Sequence, residues 1–194
     1  MFVRDWMTPD PVTVEDAATL GKCRELMRIH RVRRLPVLRD GHVAGIVTDR
    51  DLRAAQTSTV DVEAEQVDRD ADDAERVGLI CQEQLVTVGP DDTLEHAAAV
   101  MASQRIGGVP VLREGELVGI ITETDVFRAL VDVLGFRDHG ARIVLDVGAD
   151  DPPLWQQLAE LHERGLEPTS VVTYRRRAGG DAKAVVRAGR RGAV

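Results

Sequence analysis

Aromatic side chains are scarce in this chain: two Trp, one Tyr and three Phe in 194 residues. Its core must therefore be assembled from Val, Leu, Ile and Ala. Cysteine is scarce as well. Cys23 and Cys81 make no disulfide framework, and the expected compartment is a reducing cytoplasm. No apolar run approaches the roughly 20 residues of a membrane-spanning helix, and no signal-peptide pattern opens the sequence. Net positive charge is missing too. The formal charge of −8 argues against a general nucleic-acid binder. The five histidines, His30, His42, His96, His139 and His162, show no metal-ligand spacing. There is no phosphate-binding Walker loop, no nucleophile elbow and no Ser/His/Asp order. These gaps argue against an enzyme, and without a Walker loop a bound ATP would not imply ATPase activity.

What the chain does have is a repeat. Gly-Ile-Val-Thr-Asp-Arg-Asp-Leu at residues 45–52 returns as Gly-Ile-Ile-Thr-Glu-Thr-Asp-Val at 119–126. The offset of about 74 residues holds without a gap, and roughly 17 of 44 positions are identical between residues 12–55 and 86–129. An internal duplication of this kind requires the fold to be read as two similar units. Charge marks a further boundary. Residues 1–136 carry 15 basic and 25 acidic side chains, against 10 and 8 in residues 137–194. The expected divisions are a first repeat at 1–56, an acidic solvated linker at 57–76, a second repeat at 77–134, and a C-terminal segment at 139–194.

Each repeat reads as strand, helix, strand, strand, helix. In the first, residues 12–14 predict a brief strand, and Glu15-Asp16 predict the start of a helix, where acidic charge is favourable. Leu20, Cys23 and Met27, with Ala17 as a candidate, fall on one apolar face at helical spacing. Cys23 reads as a small core residue rather than a reactive thiol. Leu35-Pro36-Val37-Leu38 predicts a strand, with Pro36 favouring an edge or strand-start position. Asp40-Gly41 predicts a hairpin turn, residues 43–48 the returning strand and 49–55 the second helix. The second repeat predicts a helix that buries Leu94, Ala97, Ala98 and Met101, a hairpin at Glu114-Gly115, and a last helix over 125–134.

The apolar-Pro-Val run, the hairpin glycine and the Gly-apolar-apolar-Thr-x-x-Asp motif together resemble the cystathionine β-synthase (CBS) domain, here as a tandem pair, or Bateman module. The resemblance implies an α/β (α+β) fold of two intertwined βαββα units with two clefts related by a pseudo-twofold axis. It also implies homodimerisation and the binding of adenosine-containing ligands: AMP, ADP, ATP or S-adenosylmethionine. By this resemblance Thr13, Val14, Thr87 and Val88 would line base pockets. Arg34, Leu35, Gly108 and Val109 would lie at the clefts.

The residues fit such a role. A helix N-terminus after a strand offers free N–H groups to an anion, Thr48 and Thr122 add hydroxyls there, and Asp51 and Asp125 could accept from a ribose diol. Thr-x-x-Asp at a helix start is equally a capping box. Around the first motif stand Arg31, Arg33, Arg34 and Arg50. Arg105, Gly107, Gly108 and Thr124 attend the second. The extra positive charge predicts that the first cleft prefers the more phosphorylated ligand.

The C-terminal segment predicts a strand at 142–146, a helix at 154–164 with Leu154, Leu158 and Leu161 on one face, a second strand at 169–175 and a third at 182–187. This βαββ order resembles a truncated ferredoxin-like ACT domain, and the whole architecture is similar to acetoin-utilisation B-type proteins. Asp151-Pro152-Pro153 departs from the Asp-x-Pro-Gly turn of ACT domains, which removes a backbone N–H and a close backbone approach. A dimerising or partner-contact role is expected there. The basic cluster of Arg175, Arg176, Arg177, Arg187, Arg190 and Arg191 reads as solvated, with Tyr174 the nearby aromatic. The functional expectation is a regulatory sensor without a catalytic cofactor. It would bind an adenine nucleotide and transmit the change to a protein partner. The alternatives are a ligand-free dimerisation scaffold and an amino-acid sensor acting through the tail.

Overall fold

The computed structural model describes residues 1–58, 75–81, 85–136, 140–175 and 181–190. Most of the acidic linker lies outside them, as do Arg176, Arg177 and Arg191 of the basic tail. The chain divides into two compact units, Met1–Val126 and Phe127–Val194.

The first unit holds both repeats as far as Val126, and the rest of the last helix of the second repeat falls in the second unit. A 3-10 turn (Val3–Asp5) and β1 (Thr8–Pro9) open the chain. The first repeat continues with β2 (Val14–Glu15), α1 (Leu20–His30), β3 (Arg34–Arg39), β4 (His42–Thr48) and α2 (Asp49–Ser58). A second 3-10 turn (Val77–Leu79) precedes α3 (Leu94–Gln104), β5 (Gly108–Arg113), β6 (Glu116–Thr122) and α4 (Glu123–Val133). The expected order of elements is present in the first half; in the second, the leading strand is reduced to a single parallel bridge between Val88 and Val111. The hairpins are alike: Asp40 and Gly41 have φ of 53° and 81°, Glu114 and Gly115 53° and 89°. Both central residues are thus left-handed, as a two-residue turn between twisted strands requires. Each hairpin carries a register shift at the same place, between Val37 and Leu38 and between Val111 and Leu112.

The first helix starts later than the sequence suggests, and α4 begins at Glu123 rather than at 125. Glu15 belongs to β2, and α1 begins at Leu20 with Thr19 as its cap, the Thr19 hydroxyl accepting from Lys22 N–H at 3.2 Å. Residues 16–18 are committed elsewhere. Val77 N–H donates to Ala18 O and Gly78 N–H to Asp16 O, at 2.8 and 2.9 Å. Ala17 is accordingly exposed and ahead of the helix. The second repeat repeats this geometry. Thr93 caps α3 by accepting from His96 N–H at 3.1 Å. Val3 N–H donates to Asp92 O and Arg4 N–H to Pro90 O, at 2.9 and 3.0 Å. Each repeat is thus closed by the segment that opens the other.

Sheet order shows the same exchange. β2-β3-β4 forms one sheet, whereas β1 leaves the first repeat to pair antiparallel with β6 in the order β1-β6-β5. Pro36 sits in the middle strand rather than at an edge. β2 pairs only with Val37 and Leu38, so the N–H that proline lacks takes no bond from β2. The core is aliphatic, as the composition requires. Leu20, Cys23, Leu35, Val37 and Val47 pack with Val77 and Cys81 from the start of the second repeat. Leu94, Ala97, Met101, Val109, Val111 and Ile121 are the buried counterparts, while Ala98 is half-buried. Burial pushes the Cys23 thiol up to about 11, with a smaller opposing pull from Arg24.

The second unit is built from β7 (Ala141–Val147), α5 (Leu154–Glu163), β8 (Leu166–Tyr174) and β9 (Ala182–Arg190). The antiparallel sheet runs β7-β9-β8, so the first strand pairs with the last, as in the opening part of a βαββαβ fold. Leu158 and Leu161 of α5 pack on Ile143, Leu145, Leu166, Val186 and Ala188. Gly165 ends the helix at φ 78°. Among the described residues, no helix is long and apolar enough to cross a membrane.

Candidate functional site

The two Thr-x-x-Asp motifs fold as the capping boxes that their spacing allows. Thr48 N–H and its hydroxyl donate to Asp51 Oδ2 at 2.8 and 2.7 Å, and Asp51 N–H donates back to Thr48 Oγ1 at 3.3 Å. Thr122 N–H and hydroxyl donate to Asp125 Oδ2 at 3.0 and 2.6 Å. A strand therefore runs into a helix with no loop between them, and the helix N-terminus is held rigidly at the sheet edge. The two carboxylates differ in exposure: Asp125 is buried and Asp51 half-buried.

A cavity of about 770 Å³ opens at the first motif, within the range of small-molecule sites. Thr48, Asp49, Arg50 and Asp51 line it from the start of α2, Arg33 and Arg34 from the entry to β3, and Arg105, Gly107 and Gly108 from the second repeat. Leu85, Val86 and Ile46 supply an apolar wall. Four guanidinium groups thus meet two carboxylates. One of these, Asp49, is paired with Arg53, and the other, Asp51, is turned to its own helix cap. The balance is positive, and the α2 N-terminus adds to it.

This arrangement redraws the sequence-based division of the clefts. Arg105, Gly107 and Gly108 line the cavity of the first motif together with Arg33, Arg34 and Arg50. Arg31 lines a separate depression with Arg24, Arg28 and Arg33. The reason is the exchange of segments: each motif faces the helix end and strand start of the other repeat. Of the other candidates, Val14, Leu35, Val88 and Val109 are buried in the core, at 5 % exposure or less. Thr13 and Thr87 are half-buried and do not line the cavity, nor do Thr122 and Asp125. Gln104 was not legible as a site residue, and Arg105 stood with the second motif rather than the first. Arg105 takes the left-handed C-cap position of α3 with φ 56°, a conformation with no marker in an arginine.

Arg34 has a particular placement. Its guanidinium lies over Gly107 and Gly108. A methyl group on Gly108 would overlap Nη1 and lie 3.2 Å from Cζ, and one on Gly107 would lie 2.7 Å from Nη2 and 3.2 Å from Glu123 Oε2. Burial holds this guanidinium below its ordinary range. Glu123, the strongest opposing influence, favours the charged form, Arg33 disfavours it, and Asp125 favours it.

Comparison with known proteins now decides the family. The CBS domain model matches residues 3–58 and 77–132. This chain belongs to the CBS-domain family. It is 31 % identical over 136 residues to a CBS domain-containing protein of Dictyostelium discoideum, covering 69 % of this chain and 94 % of that one. Among solved structures, a Vibrio cholerae protein described as an acetoin utilization protein, AcuB, superposes with a TM-score of 0.60 at 27 % identity, covering 73 % of this chain and 98 % of that one. CBSX2, solved in complex with AMP, superposes with a TM-score of 0.56, also at 27 % identity, over 68 % and 97 %. The tandem CBS pair expected from the repeat, and its likeness to AcuB-type proteins, are thereby established.

Proposed function

We propose that this CBS pair is a regulatory sensor that binds an adenine nucleotide in the cavity at the first motif and passes the change to a protein partner. The observation that carries the reading is the convergence of Arg33, Arg50 and Arg105 with the α2 N-terminus around one cavity of about 770 Å³. Fixed N–H groups and guanidinium groups suit a phosphate. The apolar wall of Ile46, Leu85 and Val86 suits a base. AMP in CBSX2 is consistent with the class of ligand. Three cations favour ADP or ATP over AMP. A ligand that prefers one arrangement of the two repeats would shift their equilibrium, and the exchanged backbone hydrogen bonds couple them.

Exposed Phe127 and Leu130 on α4, at 64 % and 49 %, support the expected homodimer, which light scattering would measure directly. Unfolding scanned against AMP, ADP, ATP, S-adenosylmethionine and NAD tests the sensor. A ligand at about 100 times its Kd adds about 2.7 kcal/mol. No shift with any adenosine compound would end the nucleotide reading. It would favour the rival scaffold, in which the two Thr-x-x-Asp boxes act as caps alone.

A further inference from the structure

The two repeats match almost element for element, yet they differ at the pseudo-twofold axis. The counterpart of Arg34, at the same offset, is Gly108; that of Arg33 is Gly107. β3 and β5 start at Arg34 and Gly108, and the Arg34 side chain lies on the bare backbone of the two glycines. There it borders the first-motif cavity as well. Its acidic neighbours are Glu123 and Asp125, both of the second motif. The cavity wall has the matching bias, since Thr48, Asp49, Arg50 and Asp51 line it and their counterparts, Thr122, Glu123, Thr124 and Asp125, do not.

We infer that Arg34 is an internal plug: its guanidinium fills the second-motif cleft as a tethered cation, and the chain binds one nucleotide, at the first motif. This rests on the nucleotide reading above and adds the stoichiometry and the residue that sets it. The physical reason is the asymmetry of the pair. A glycine at 108 sends nothing into the first cleft, which stays open. An arginine at 34 sets a positive charge beside the acidic groups of the second cleft from within. An incoming ligand there must displace the guanidinium and leave Glu123 and Asp125 facing its phosphates. Gly107 and Gly108 complete the device, because a Cβ at either position would collide with the arginine.

Calorimetric titration of the full chain with ATP, and separately with AMP, tests this. The wild type is expected to bind one equivalent per chain. Arg34→Gly, which gives the first repeat the residue of the second, is expected to bind two, and Arg34→Ala to bind two with a weaker second step. Circular dichroism and a cooperative unfolding transition establish that each variant is folded. Two equivalents in the wild type would overturn the proposal while leaving the nucleotide reading intact, and this measurement needs no variant. One equivalent in both folded variants would overturn it as well. No binding of either nucleotide by wild type or variants would overturn the nucleotide reading itself.

Discussion

The two repeats use the same devices in the same places and still differ in what they can do. Both have a threonine-capped first helix, a left-handed hairpin turn, a bulge two residue pairs into the hairpin, and a Thr-x-x-Asp box. They part at the strand start, Arg33-Arg34 against Gly107-Gly108. The shared features hold the fold, and the shared box also lines the first cavity through Thr48 and Asp51. Duplication supplied two equivalent frames, and two substitutions at the axis make them unequal.

The largest effect is expected from the frames. Leu20→Ala and its counterpart Leu94→Ala remove side chains that are at most 2 % exposed. Each is expected to cost about 2–5 kcal/mol in urea unfolding. If the repeats are equivalent in packing, the two losses agree to within about 1 kcal/mol. A clear inequality would break the comparison at its structural level.

Next is the axis. Gly108→Ala drives a methyl group into Arg34 and to 3.0 Å from Ile121 O. The expected loss is about 1–3 kcal/mol. In an Arg34→Ala background most of that loss should vanish, a coupling of about 0.5–3 kcal/mol. Additivity in this double-mutant cycle would show that arginine and glycine do not share the space.

The caps come third. Thr19→Ala and Thr93→Ala are each expected to cost about 1 kcal/mol, read as thermal or urea stability. Asp51→Ala removes a reciprocal cap and a cavity residue at once, so it should lower both stability and nucleotide affinity. A loss of stability alone would assign the box to capping.

The smallest effect concerns Cys23. The folded thiol, held at about 11 against an ordinary 9.0, keeps its proton where the unfolded chain has lost it. Its contribution is therefore complete below about pH 9 and is lost as the pH rises toward 11. At pH 8 only about one thiol in a thousand would be ionised, so alkylation of the folded protein should be slow and speed up on unfolding. Fast alkylation at that pH would show an open core in the first repeat.

Much of this was legible in the residues. The offset between Thr48/Asp51 and Thr122/Asp125 gave the duplication, and Asp40-Gly41 and Glu114-Gly115 gave the hairpins, because these signals are local. The start of α1 was misplaced at Glu15-Asp16. Charge marks a favourable helix end, but the backbone of residues 16–18 was already bonded to residues 77 and 78. The cleft was half legible. Arg33, Arg34 and Arg50 stood out as a cationic group, whereas Arg105 seemed to belong to the other motif.

The sequence alone determined the frame: two copies of one pattern, an aliphatic core forced by the lack of aromatics, and a rigid strand-to-helix junction wherever Thr-x-x-Asp occurs. The tertiary structure decided which pieces meet. β1 pairs with β6 and Val77 enters the first core, so the ends of each repeat are completed by the other. Arg105 joins the first motif, and Arg34 reaches the second. Side-chain type and spacing encode contacts within a few turns of chain. Pairing across 74 positions is chosen by which exchanged backbone hydrogen bonds and buried valines the folded pair can satisfy together.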